Sequence, residues 1–136
     1  MKFPPYQDRS KAELERALRW AIGKLHLEQW DVTLFVDEDG GDEYLKQAQA
    51  EELLGRNHYW VDELRSRIGI FSAVCKEKNV DPRSVVFHET AHLVTDIASY
   101  VGKGDLAVDQ QELLTCRIEW LLNELWQHEQ TPKRSD

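Results

Sequence analysis

The segment at residues 85–96, VVFHETAHLVTD, holds two histidines four residues apart, His88 and His92, with Glu89 directly after the first. On a helix, residues i and i+4 lie one above the other on the same face, so both imidazoles reach one tetrahedral zinc at about 2.0–2.1 Å. Glu89 stands beside the first histidine and off the ligand line. A carboxylate there is placed to take a proton from a water that the metal activates. The H-E-x-x-H pattern therefore points to metal-assisted hydrolysis, with His88 and His92 as ligands and Glu89 as general base. The contrary reading is an ordinary buried helix with two hydrogen-bonded core histidines.

A catalytic zinc takes three protein ligands and keeps one position open. Glu112 is the preferred third ligand, because it opens the last predicted helix after a glycine-containing turn that folds that helix back. Glu119, seven residues further and so on the same helix face, is the rival. His58 and His128 are further candidates, for which solvent exposure is the simpler account. The expected cofactor is one Zn2+ per chain. Zinc needs neutral imidazoles, so its affinity is expected to fall as pH drops through the histidine range, near about 6.5.

The elements that must position these residues are readable in part. Ser10 and Glu13 form a capping box, and Leu14, Ala17, Leu18, Ala21, Ile22 and Leu25 follow at helical spacing, which predicts a helix over about 11–27. WDVTLFVD alternates apolar and polar residues and reads as a strand. The acidic run DEDGGDE lacks calcium-loop spacing and reads as a solvated loop. YLKQAQAEELLG suits a helix or a strand, HYWVDEL and RIGIFSA read as strands, and VCKEKNV as a connection. Asp81 as N-cap and Pro82 at the first helical position open a helix over about 82–100, which Gly102 and Gly104 stop. A final helix begins near Asp109, with Leu114, Ile118, Leu121, Leu122 and Leu125 in one stripe. The expected architecture is α+β: an N-terminal helix, a small, mostly antiparallel sheet of three or four strands, the motif helix and a closing helix. Residues 1–136 read as one domain, with 1–9 and 129–136 as loose tails.

A chain of 136 residues with 41% apolar residues and five tryptophans has enough material for one core. Its net charge of −8 repels phosphate backbones, which argues against nucleic acid as a partner. MKFPPYQDRSK has no apolar signal region, and no apolar run approaches spanning length, so a soluble cytoplasmic protein with no membrane partner is expected. Cys75 and Cys116, the two cysteines, are expected to be reduced thiols.

HETAHLVTD resembles the active-site helix of thermolysin-type metallopeptidases, the gluzincins, and the spacing from His92 to Glu112 is similar to theirs. The resemblance spans about residues 85–116. It implies a zincin-like fold, with His88, His92 and Glu112 as zinc ligands, Glu89 as general base, and a peptide or protein as substrate. The general layout is similar to that of small prophage-type metallopeptidase-like proteins. The pattern departs at one telling place: where that family carries an aspartate that orients the first histidine, this chain has Cys116. Asp96, Asp105 and Asp109 are the alternatives for that role. Tyr100, Tyr59, His58 and Arg117 are candidates for stabilising the oxyanion, and RIGIF for the strand edge along which a substrate would lie. The expected activity is zinc-dependent peptide hydrolysis. The competing classes are a zinc-binding domain without catalysis, which Cys116 favours, and a metal-free interaction module.

Overall fold

Ser10 accepts a hydrogen bond from the Glu13 backbone N–H, and this cap starts helix α1 (Lys11–Lys24). The computed structural model describes residues 3–101 and 108–130. Strand β1 (Asp31–Val36) comes next, then α2 (Glu43–Ala50), β2 (Gly55–Trp60), β3 (Arg65–Ile70), α3 (Ser72–Glu77), α4 (Pro82–Val101) and α5 (Val108–Gln130). The chain is α+β. None of the described helices is long and apolar enough to cross a membrane.

The sheet order is β1-β3-β2, with β1 parallel and β2 antiparallel to β3. The expectation of a mostly antiparallel sheet is therefore corrected: the three strands form a mixed sheet. The reason lies in the open segment 44–53. It becomes helix α2, and with β2 it forms the crossover that brings β3 back alongside β1 in the same direction. Asp42 decides the matter locally. It comes from the acidic run expected to lie in water, yet it is 5% exposed and accepts from the backbone N–H groups of Tyr44 and Leu45. Two other readings change: VCKEKNV lies largely within α3, and the strand in HYWVDEL stops at Trp60.

Val32, Leu34 and Val36 pair in register with Ser66, Ile68 and Ile70 and so share one sheet face. Val32, Leu34, Ile68 and Ile70 are buried there with Leu14, Leu18 and Ile22 of α1, Val86, Phe87 and Leu93 of α4, and Leu122 of α5. Helix α2 covers the other face, where Leu45 lies against Gly69. Helix α4 packs on β2, β3, α1 and α5, so nearly its whole circumference is enclosed. Gly55 permits the close approach of α4 to β2: a Cβ there would fall 2.8 Å from the Gly69 carbonyl oxygen and 2.8 Å from Val85 Cγ1.

The predicted stripe on α5 is only partly inside. Leu122 is buried and Ile118 packs against the core, but Leu114, Leu121 and Leu125 are exposed. Thr115 and Glu119 point inward in their place. Within 1–9, expected as a loose tail, Pro4, Tyr6 and Arg9 are held by the fold, while residues 1 and 2 lie outside the described residues. The Pro4 carbonyl accepts from Asp81 N, Tyr6 N donates to Asn79 Oδ1, and Arg9 grips Asp81 through two bonds of 3.1 and 2.9 Å. At the other end, Glu129 accepts from Lys24 and Trp20, while 131–136 lie outside the described residues.

Two predictions arise from these polar anchors. Asp81 caps α4 through Arg83 N at 3.0 Å and neutralises Arg9, and its side chain is 3% exposed. Asp81→Ala removes the cap and leaves a mostly buried guanidinium with only the more distant Glu13, at 3.6 Å, as partner. It is expected to lower the unfolding free energy by about 3 kcal/mol, read by urea denaturation. A change below about 0.5 kcal/mol, the range of an ordinary surface substitution, would contradict this assignment. Asp42 supplies the second. Burial alone would raise its carboxyl, but hydrogen bonds from His58, the Leu45 backbone and Arg67 outweigh that and hold it below the usual carboxylate range. A folded-state pKa below the unfolded one gives stability that is complete above about pH 3.9. That stability disappears as pH falls through the folded value. Wild type should lose stability on acidification in this window more steeply than Asp42→Asn; parallel curves would refute the linkage.

Candidate metal centre

Helix α4 is buried at Val85, Val86, Phe87, Glu89, Thr90, Ala91, Leu93 and Thr95, while His88, His92 and Asp96 form a half-buried row at i, i+4 and i+8. This row is where the helix meets α5 and the adjoining cavities. Phe3 closes one flank, its ring 5.8 Å from that of His88 and nearly edge-on. The two imidazole rings are 4.6 Å apart.

Glu112 of α5 lies opposite both. His88 Nε2 is 3.5 Å from Glu112 Oε1, and His92 Nε2 is 3.5 Å from Glu112 Oε2. These separations are long for hydrogen bonds. Each is close to the edge of a tetrahedron with ligand bonds of about 2.0–2.1 Å, roughly 3.4 Å, and the two end on different oxygens of the carboxylate. The structure thus sets Glu112 against both histidines, each imidazole facing a different oxygen of the carboxylate; His88, Glu89 and His92 form a group whose donor atoms all lie within 4.8 Å of one another and that could hold a metal ion. Two imidazole nitrogens and a carboxylate are donor types that could hold a metal ion.

Glu119, the rival ligand, sits on the other side of His88. Its Oε1 accepts from His88 Nδ1 at 2.6 Å, and its Oε2 accepts from Ser84 Oγ at 3.0 Å. Asn123 Nδ2 in turn donates to Ser84 Oγ at 3.2 Å. A carboxylate on Nδ1 fixes the tautomer and leaves the Nε2 lone pair for a metal. The carboxylate on His88 Nδ1 is thus Glu119, and not Asp96, Asp105 or Asp109, the alternatives read from the sequence. Asp105 and the Asp109 side chain lie outside the described residues, and Asp96 lines a cavity. His92 has a weaker neighbour at its Nδ1, Thr115 Oγ1 at 3.5 Å, which is itself 3.0 Å from Thr95 Oγ1.

The charges around the two histidines differ. Burial works against protonation of His88, but the hydrogen bond to Glu119 and the charges of Glu89, Glu119 and Glu112 outweigh it and raise its pKa. Burial and the neighbouring His88 charge lower that of His92. Burial pushes the Glu89 carboxyl up to about 7, against the pull of His88, and pushes Asp96 up to about 6.

Two cavities meet at Glu89. One of about 390 Å³ is lined by Tyr44, Arg56, Asn57, Tyr59, His92 and Asp96 among others; one of about 250 Å³ is lined by Phe3, Leu54, Lys78, Val85 and His88 among others. Leu53, Gly55 and Glu89 line both, so the pair follows the start of β2 across the motif helix. Strand β2 is a sheet edge, whereas RIGIF is not: β3 is paired on both sides.

Of the oxyanion candidates, Tyr59 lines the larger cavity with Glu89 and His92. His58 is not a free surface histidine: its Nδ1 is 2.8 Å from Asp42 Oδ2, and alternation along β2 places it on the face opposite Tyr59. Arg117 lines neither cavity, His128 is exposed, and the Tyr100 side chain lies outside the described residues. Arg56 faces the larger cavity and was not foreseen, since nothing in its local sequence distinguishes it from a surface arginine. Cys75 and Cys116 are both free thiols. Cys75 is buried and accordingly pushed up to about 12; Cys116 lies beside Glu112.

No protein-family model, no curated protein and no solved structure matches this chain.

Proposed function

We propose that this chain is a zinc-dependent peptidase of zincin-like, gluzincin-like design, with His88, His92 and Glu112 as ligands and Glu89 as general base. One observation carries the reading: both Nε2 atoms stand 3.5 Å from separate oxygens of Glu112, while Glu119 holds Nδ1 of His88. A zinc ion held there supplies Lewis-acid activation of water and of a carbonyl.

The chain's own residues do the rest. Glu119 keeps His88 in the tautomer that presents Nε2. Glu89, enclosed by protein and open to both cavities, takes the proton of the attacking water and passes it to the leaving amine. Tyr59, on the wall of the larger cavity with Glu89 and His92, would donate to the developing oxyanion, and Arg56 would add positive charge to the same cavity. The outer edge of β2 has unpaired backbone groups beside the same cavity, which suits an extended peptide added as a fourth strand. Arg56 at the polar end and Phe3, Leu54 and Val85 at the other give the groove different chemistry on its two sides.

The test is hydrolysis of an unstructured polypeptide by zinc-loaded, untagged protein. Cleavage should stop on chelation and return on adding zinc. A zinc-loaded chain that leaves such a substrate intact would favour the non-catalytic zinc domain.

A further inference from the structure

Glu112 and Cys116 are an i, i+4 pair on α5, facing the i, i+4 pair His88 and His92 on α4. The Glu112 carboxylate is the hub. Its Oε1 lies 3.5 Å from His88 Nε2 and 3.8 Å from Cys116 Sγ, and its Oε2 lies 3.5 Å from His92 Nε2. His88, Glu112 and Cys116 form one group in which all three donor atoms lie within 4.8 Å of one another, and His88 also belongs to the group with Glu89 and His92. The thiol is thus not an isolated cysteine but a member of the donor cluster. Zinc–sulfur bonds are about 2.3 Å, so a tetrahedral oxygen-to-sulfur edge is about 3.6 Å, close to the separation seen here.

We propose that Cys116 is a fourth, displaceable zinc ligand that closes the site at rest. The proposal rests on the peptidase reading above and adds its regulation. On metal binding the Sγ–H bond breaks, the proton goes to solvent and an Sγ–metal bond forms, with no change of oxidation state. Two histidines, a glutamate and a thiolate fill a tetrahedral site, as in structural zinc centres, and leave no position for water. Hydrolysis then requires water or substrate to displace the thiolate. The side chain that departs from the gluzincin pattern would hold the enzyme in check.

Cobalt(II) substitution separates the two ideas. Metal-free wild-type chain, kept reduced with a phosphine, is titrated with cobalt(II). Visible d–d bands report the metal in the site, and a near-ultraviolet sulfur-to-cobalt charge-transfer band reports the thiolate. Both should grow together to one equivalent. Cys116→Ala should keep the d–d bands, lose the charge-transfer band and hydrolyse peptide faster than wild type, while Cys75→Ser should keep both bands. Should Cys116→Ala fail to fold, alkylation of wild type serves instead, with zinc slowing iodoacetamide modification of Cys116 at least tenfold. Visible bands without charge transfer, or an alkylation rate indifferent to zinc, would overturn the Cys116 proposal and leave the three-ligand site standing. Absence of both bands would overturn the metal site itself.

Discussion

Replacing Glu89 by glutamine should leave zinc bound at wild-type stoichiometry and lower peptide hydrolysis by about 10²–10⁴-fold, the usual worth of a positioned general base. Glutamine keeps the shape and one carbonyl oxygen, so the packing around this 7% exposed residue is preserved. What it loses is the ability to accept a proton. Because burial disfavours a charge at this position, the substitution should not destabilise the fold. A loss of activity accompanied by loss of zinc would mean that Glu89 is structural or a ligand. Retained activity with zinc in place would remove it from the mechanism. Steady-state hydrolysis and elemental analysis on the same preparation distinguish these results.

The second large effect belongs to Glu119. Glu119→Ala should weaken zinc binding by about 10–100-fold, because the first histidine then loses the partner that fixes its tautomer and ring orientation. The change also strips Ser84 of its acceptor, so a stability loss of about 1–3 kcal/mol is expected alongside. Glu119→Gln separates the two effects: its carbonyl oxygen still accepts from Nδ1–H, so zinc affinity should lie between that of alanine and wild type. Glu112→Ala should do more, removing a ligand and with it stoichiometric zinc. Zinc affinity equal to wild type in Glu119→Ala, measured by competition with a chromogenic chelator, would show that the 2.6 Å contact has no bearing on the metal.

The helix carrying His88 and His92, its cap at Asp81 and the facing position of Glu112 were legible because each depends on local spacing: i, i+4 periodicity, an N-cap before proline and glycines between the last two helices. The role of Glu119 was not. A carboxylate on a surface-looking helix acquires that role only from a neighbour 31 residues away in sequence. The same neighbourhood misleads about the burial of α5. Leucines at 114, 121 and 125 suggest an inward stripe, but Thr115 and Glu119 face inward to satisfy polar groups on α4, and the leucines turn outward. The mixed sheet was hidden for a related reason. Its direction of pairing follows from whether residues 43–50 are helix or strand, and that is decided by Asp42. An acidic loop residue becomes a buried cap once His58 and Arg67 reach it from the sheet. In each case a polar or charged side chain is held by partners far away in sequence, which periodicity does not report.

The central claim is that His88, His92 and Glu112 hold a metal. Elemental analysis of untagged wild-type protein, beside a His88→Ala/His92→Ala double variant, tests it most directly. The account predicts close to one zinc per wild-type chain and none in the double variant. Zinc near zero in wild type, unchanged after incubation with the metal and removal of excess, would make the two histidines a hydrogen-bonded core pair and end the peptidase reading.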